Sequence, residues 1–433
     1  MSVRAFRAQI LHCLRDPGDA ATSEHMEYFA DGLLLVEDGH VTALGPAAQL
    51  LAELSDNVEV IDYADRLIVP GFVDTHIHYV QTDIIAAHGK QLLDWLESYT
   101  FPAERRFADA AHAQEVAEFF VRELLRNGTT TALVLGSVHA VSVDAVFTAG
   151  AAAGMRMIAG KVLMDRNCPE YLRDTPESGY RESRELLERW HKCERLLYAI
   201  TPRFAPTSSD AQLRRAGELA NEHPDAYVHT HLAENRDEVA WVRELFPSSR
   251  SYLDVYDHFG LLRERSLYAH SIHLDDQDRE RFVATGAAVA FCPTCNLFIG
   301  SGLFDLHQAW QCGMRVGLGT DVGGGTTFNM LQVLNEAYKV AQLRGFSLSP
   351  FRALYLGTLA GAEALYLDDK IGNLQPGKEA DFLVLDRAAT PLLARRTAAA
   401  DDIREVLFAL IMLGDDRCVA ATYLRGELAH ERV

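Results

Sequence analysis

Apolar positions fall into short runs through the middle of the chain, and eight of these runs have the length and residue types of strands. They are RLIVPGFVDTHIH (66–78), TTTALVLG (129–136), RMIAGKVLM (156–164), LLYAITPRFAP (196–206), AYVHTHLAE (226–234), SLYAHSIHL (266–274), AAVAFCPTCN (287–296) and RVGLGTDV (315–322). Between several of them the apolar positions recur at helical spacing instead. Examples are HAQEVAEFFVRELLRNG (112–128), which ends on a glycine suited to a helix cap, SRELLERWHKCERL (183–196) and DAQLRRAGELANEH (210–223). Strands alternating with helices eight times predict an α/β fold, a (β/α)8 TIM-type barrel of about 250 residues.

The flanks read differently. YFADGLLLVEDGHVTALG (28–45) places Asp-Gly pairs at 31–32 and 38–39 between apolar runs, a hairpin signal. IGNLQPGKEADFLVLD (371–386) and CVAATYLRGELAHE (418–431) are again strands separated by turns. The expected organisation is a small β-sandwich domain built from both termini, 1–69 and 371–433, around a catalytic barrel at 70–370.

In such a barrel, chemistry gathers where the strands end, and the polar residues of this chain follow that rule. The first strand ends in His76 and His78, two residues apart and so on one face, with Asp74 before them and Gln81 after. The fourth carries Arg203, the fifth His229, His231 and Glu234, the sixth His270 and His273, and the eighth ends in Asp321. Seventeen histidines spread at random would not favour these places so heavily. A catalytic zinc takes about three or four nitrogen and oxygen ligands and keeps a position open for water. His76, His78, His231 and Asp321 supply three imidazoles and a carboxylate. Glu234 is placed to shuttle protons without binding the metal, and His270 to steady developing charge. His229, deeper in its strand, reads as a packed barrel histidine, and His273 as a solvated or core one. Taken singly, Asp321 also suits a helix N-cap and Glu234 the first turn of NRDEVAWVREL. Two-metal barrels often bridge their ions with a lysine at the end of strand four; here that strand offers Arg203, and Lys161 sits on strand three, so one metal is expected.

Bulk properties narrow the partners. A net charge of −20 disfavours a nucleic-acid backbone, and no apolar run reaches about 18 residues, so neither nucleic acid nor membrane is an expected partner. His12 and charges interrupt the short apolar patch near the start, which does not suit a signal peptide. Seven scattered cysteines suit free thiols in a reducing cytoplasm. One pair, Cys292 and Cys295, has redox or zinc spacing but no second pair to complete a site.

PGFVDTHIH, HLAEN, the strand-six Ala-His and GTDVGGG, in that order, resemble the amidohydrolase superfamily. Within it, LLDWLESYTFPAE (92–104), GKVLMD (160–165), TPRFAPTSS (201–209), HTHLAENRDEV (229–239) and CPTCNLFIGSGLF (292–304) resemble the guanine deaminase branch, over nearly the whole chain. Cys295 stands where such relatives often have serine. The resemblance implies one zinc per subunit, with Fe2+ as the alternative, on His76, His78, His231 and Asp321. It implies catalysis by Glu234, His270 and Asp321, and guanine recognition by Gln81, Arg203 and Phe204 beside His231. It also implies a homodimer, and hydrolytic deamination of guanine to xanthine and ammonia by attack of metal-bound hydroxide on C2. The alternatives are another purine, a pyrimidine or a triazine as substrate of a related enzyme, and a barrel scaffold without activity. The cytidine-deaminase type of zinc site is not favoured: the chain has no HAE-type motif, and its Cys-Pro-Thr-Cys places the proline inside.

Overall fold

The computed structural model describes residues 3–18, 25–55, 57–89 and 91–432. Eight parallel strands close on themselves: β1 Phe72–His78, β2 Thr129–Leu135, β3 Arg156–Gly160, β4 Leu196–Pro202, β5 Tyr227–Leu232, β6 Ser266–His270, β7 Ala288–Phe291 and β8 Arg315–Leu318. The order β5-β6-β7-β8-β1-β2-β3-β4, with β4 also paired to β5, makes the sheet a barrel. Strands covered on both faces favour apolar residues on both, which is why the runs are mostly apolar rather than strictly alternating. Helices return the chain between strands, among them Ala110–Arg126, Pro176–Trp190, Asp210–Glu222 and Arg236–Leu245. Gly128, with φ of 84°, follows the first of these in the left-handed region that a glycine tolerates.

The expected limits of the first strand need correction. The stretch 66–78 is not one strand: Val60–Pro70 and β1 are separated at Gly71. Leu67–Pro70 instead pair antiparallel with Phe382–Leu385 in the terminal sheet. Pro70 has no N–H to continue a ladder, and a Cβ at Gly71 would lie 2.0 Å from Thr130 Oγ1.

The described residues group into two compact units, 1–73 with 122–131 and 328–433, and 74–121 with 132–327. This grouping differs from the limits at 69/70 and 370/371, because helices such as Met330–Leu343 and Pro350–Gly357 fall in the first unit. In that unit the small domain expected as a sandwich is hydrogen-bonded as one seven-stranded sheet, in the order Glu427–Glu431, Val419–Leu424, Phe382–Leu385, Val60–Pro70, Val3–Cys13, Met26–Glu37, His40–Pro46. Phe382 stacks on Tyr423 at 4.6 Å and meets the edge of Phe6 at 4.9 Å, filling one face of the sheet. Asp38-Gly39 is the expected hairpin turn, with φ of 51° and 83°. Asp31-Gly32 is not a turn. It lies inside Met26–Glu37 at a break in register opposite Ala8 and Ile10, and Arg7 pairs with Asp31 across the strands. Among the described residues, no helix is long and apolar enough to cross a membrane.

Where β3 meets β4 the backbones approach closely, and a Cβ on Gly160 would stand 1.8 Å from the Ala199 carbonyl oxygen. Gly160→Ala is therefore expected to lower stability by about 2–3 kcal/mol or more. A thermal melt checks this; an unchanged midpoint would contradict the packing described.

Candidate active site

The carboxyl ends of the strands bring the candidate residues together. Period-two geometry aims His76 and His78 the same way from β1, and His229 and His231 the same way from β5. Three turns that leave the strands use left-handed residues other than glycine: Ala233 at φ 47°, His270 and Ser271 at 67° and 52°, and Asp321 at 52°. Such backbone costs of order 1–3 kcal/mol per residue and clusters at functional sites. Here it folds Glu234, His270 and Asp321 back over the barrel mouth.

Four donors converge. His76 Nε2 lies 3.1 Å from Asp321 Oδ1, His78 Nε2 3.5 Å from the same oxygen, and His78 Nε2 3.1 Å from His231 Nε2. His231 Nδ1 donates to the Arg203 carbonyl at 2.7 Å, which leaves its Nε2 as a lone pair when the ring is neutral. His76 Nδ1 meets His229 Nε2 at 2.8 Å, so His229 orients a neighbouring imidazole rather than merely filling the barrel. Burial pushes His76, His78 and His231 well below the ordinary imidazole value, and all three rings are neutral near pH 7.

Glu234 and His270 stand beside this cluster. Glu234 Oε2 lies 3.3 Å from His270 Nε2, and its Oε1 accepts from Ser301 Oγ at 2.9 Å. Burial, with Asp321 and Glu238 adding like charge and His270 opposing, lifts Glu234 to about 7. His270 Nδ1 meets the Asn296 Oδ1 acceptor at 2.9 Å and holds a proton there, while its Nε2 lies 3.6 Å from Asp321 Oδ2. Burial works to lower His270, but the facing carboxylates of Glu234 and Asp321 raise it on balance.

Gln81 and Arg203 lie across the same cavity and share a partner that the sequence reading did not single out. Arg203 Nη1 donates to both oxygens of Glu104, at 2.8 and 2.9 Å, and Gln81 Nε2 donates to Glu104 Oε1 at 3.1 Å. Phe204 lies against the edge of Trp241 at a centroid distance of 6.3 Å. The cavity adds an apolar wall of Leu92, Trp95, Leu96 and Ile299 to these polar groups. Arg203, Phe204, Glu234 and Asp321 lie just past their strands rather than on them, because β4 ends at Pro202, β5 at Leu232 and β8 at Leu318.

Other supporting contacts were also silent in the sequence. Asp74 accepts from the His76 and Thr320 backbone N–H groups and from Thr320 Oγ1, tying β1 to the loop that carries Asp321; burial lifts it to about 7. Glu238, three residues into the helix capped by Asn235, accepts the backbone N–H of Glu234 at 2.9 Å. The only forward signal was the capping pattern Asn-x-x-Glu at 235–238. Lys161 points away from the cluster and pairs with Asp174 at 2.5 Å. His273 contacts the Ser301 carbonyl, outside the cluster. Cys292 and Cys295 are buried free thiols.

This barrel with its ring of strand-end donors defines a metal-site hydrolase class, and the chain belongs to the amidohydrolase family, whose profile matches residues 67–429. A guanine deaminase of Escherichia coli (strain K12) is 52% identical over 431 residues, covering 100% of this chain and 98% of that one. A solved structure of E. coli guanine deaminase superposes with a TM-score of 0.97 over 99% of this chain and 100% of that one, at 52% identity. The structure of guanine deaminase from C. acetobutylicum with bound guanine in the active site reaches a TM-score of 0.89 at 28% identity, over 99% of this chain and 100% of that one.

The residues fit a divalent cation. The Nε2 of His76, buried and without a hydrogen-bond partner, faces the carboxylate of Asp321, and the rings of His76, His231 and His270 offer nitrogens within 4.8 Å of one another. Neutral imidazoles and an aspartate are a borderline donor set suited to zinc or iron(II). Purified protein is expected to carry close to one divalent ion per chain, and His78→Ala to lose most of it, by elemental analysis. Full occupancy in His78→Ala would contradict a cradle that needs this ring.

Proposed function

We propose that this chain is a guanine deaminase that hydrolyses the bond between C2 and the exocyclic nitrogen of guanine, giving xanthine and ammonia. The observation that carries the reading is a single cavity that sets purine-recognition groups opposite a proton-transfer pair and a cation cradle. In this reading His76, His78, His231 and Asp321 hold the cation, zinc first and iron(II) as the alternative. When bound, it supplies the Lewis acidity that makes a water nucleophilic near neutral pH.

Glu234 takes the proton from that water and passes it to the ring nitrogen beside C2. Its second oxygen stays fixed by Ser301 at 2.9 Å, so one oxygen is free to move a proton. A carboxyl near 7 loses and regains a proton at little cost, which is what a shuttle requires. His270 Nε2 steadies the oxygen that develops charge on the tetrahedral carbon, and Asp321 Oδ2 takes that oxygen's proton and gives it to the departing amine. Gln81 offers a donor and an acceptor to the purine edge, Arg203 offers donors only, and Phe204 stacks on the ring face. A homodimer in the cytoplasm completes the proposal, the location resting on seven free cysteines.

Incubation with guanine is expected to yield xanthine and ammonia in equal amounts, to stop with a chelator and to resume with zinc. Fully metallated protein that leaves guanine untouched while turning over another purine, a pyrimidine or a triazine would contradict the reading. Glu234→Gln is expected to lower kcat by about 10²–10⁴-fold with its metal retained; near-normal turnover would remove Glu234 from the role. Glu234 must be ionised to take a proton, so activity falls as pH drops through its pKa, and a nearby cation lowers that value from about 7. The acid limb of kcat is therefore expected at or below about pH 7; a limb centred well above it would assign the limb to another group.

A further inference from the structure

Glu104 is a carboxyl at 0% exposure that the proposed chemistry does not use. It ends the segment that supplies Leu92, Trp95 and Leu96 to the cavity wall. Its backbone carbonyl accepts from Ser137 Oγ at 3.4 Å, just past β2. Its two oxygens take three hydrogen bonds, two from Arg203 Nη1 and one from Gln81 Nε2. The other end of the Gln81 amide accepts from the Gly323 N–H at 3.3 Å. An amide whose nitrogen faces a carboxylate and whose oxygen faces an N–H has one orientation only, because the flipped amide would set oxygen against oxygen and N–H against N–H. The guanidinium is held likewise: Arg203 is 2% exposed and Glu104 balances its charge. The residues that would read the purine edge are thus oriented by a third residue.

We infer that Glu104 is the positioning residue that sets the donor and acceptor pattern read by Gln81 and Arg203, and so makes the site select purines with an oxygen at C6. This rests on the guanine deaminase reading and deepens it. A site built to donate to a carbonyl oxygen discriminates strongly against an analogue that leaves its donors unpaired. Without Glu104, Gln81 presents either amide end and Arg203 loses its fixed fork. Discrimination falls, while Glu234, His270 and the four metal donors keep their places, since no hydrogen bond or ion pair among the described residues joins their side chains to Glu104.

The test compares guanine with 2-aminopurine, which carries the C2 amine but no oxygen at C6. Wild type is expected to prefer guanine. In Glu104→Gln, kcat/KM for guanine is expected to fall about 100-fold, mostly through KM, and that for 2-aminopurine by less than about 5-fold, so the preference collapses. Glu104→Asp, which keeps the charge, is expected to recover part of the preference, and the same ratio in this variant decides the matter if Glu104→Gln does not fold. Metal content is expected to match wild type in both. An equal fall for both substrates would make Glu104 merely structural, and an unchanged preference would overturn the inference. Wild type that does not deaminate guanine would instead overturn the functional reading beneath it.

Discussion

Taking His76, His78, His231 and Asp321 out of water sets electron-pair donors face to face with too few protons to share, and the rest of the structure is arranged around that crowding. Burial keeps the three imidazoles neutral. It also lifts Glu234 and Asp74 to about 7, so anionic charge is costly where it is concentrated. In the proposed reading, a divalent cation at the convergence point would relieve these costs together, by separating lone pairs and by drawing carboxyls back toward their ionised forms. The supporting bonds serve one purpose. Asp74 clamps β1 to the loop bearing Asp321, His229 orients His76, and the Arg203 carbonyl fixes the tautomer of His231.

The half of the cavity that holds Gln81 and Arg203 obeys the same electrostatics with opposite sign. Arg203 brings a permanent positive charge into a buried position, and Glu104 balances it with good geometry. That carboxylate also takes the Gln81 amide nitrogen. In the proposed reading, charge balance and substrate recognition are one arrangement, and the cavity wall of Leu92, Trp95 and Leu96 belongs to the segment that delivers Glu104.

The barrel was legible because strands buried on both faces leave short, mostly apolar runs, and all eight expected runs contain a strand. Their ends were less legible. The run at 66–78 hid a change of sheet at Pro70-Gly71, and Asp31-Gly32 looked like a turn when it is a register break inside a strand. The placement of His76 and His78 followed from period two alone. The tie of Gln81 and Arg203 to one carboxylate did not, because Glu104 lies 23 and 99 residues from them. A single acidic residue at the end of FPAE carries no pattern that announces a partner so distant. The supporting contacts of Asp74, Asn296 and Ser301 were silent for the same reason: each is made with a residue on another strand or loop.

The central claim, that distant parts of the chain deliver four donors to one ion, is tested most directly by anomalous X-ray diffraction from crystals of the purified protein. The account predicts one strong peak per chain, bounded by His76 Nε2, His78 Nε2, His231 Nε2 and the Asp321 carboxylate. A peak bound elsewhere, or an active protein with none at this position, would contradict it.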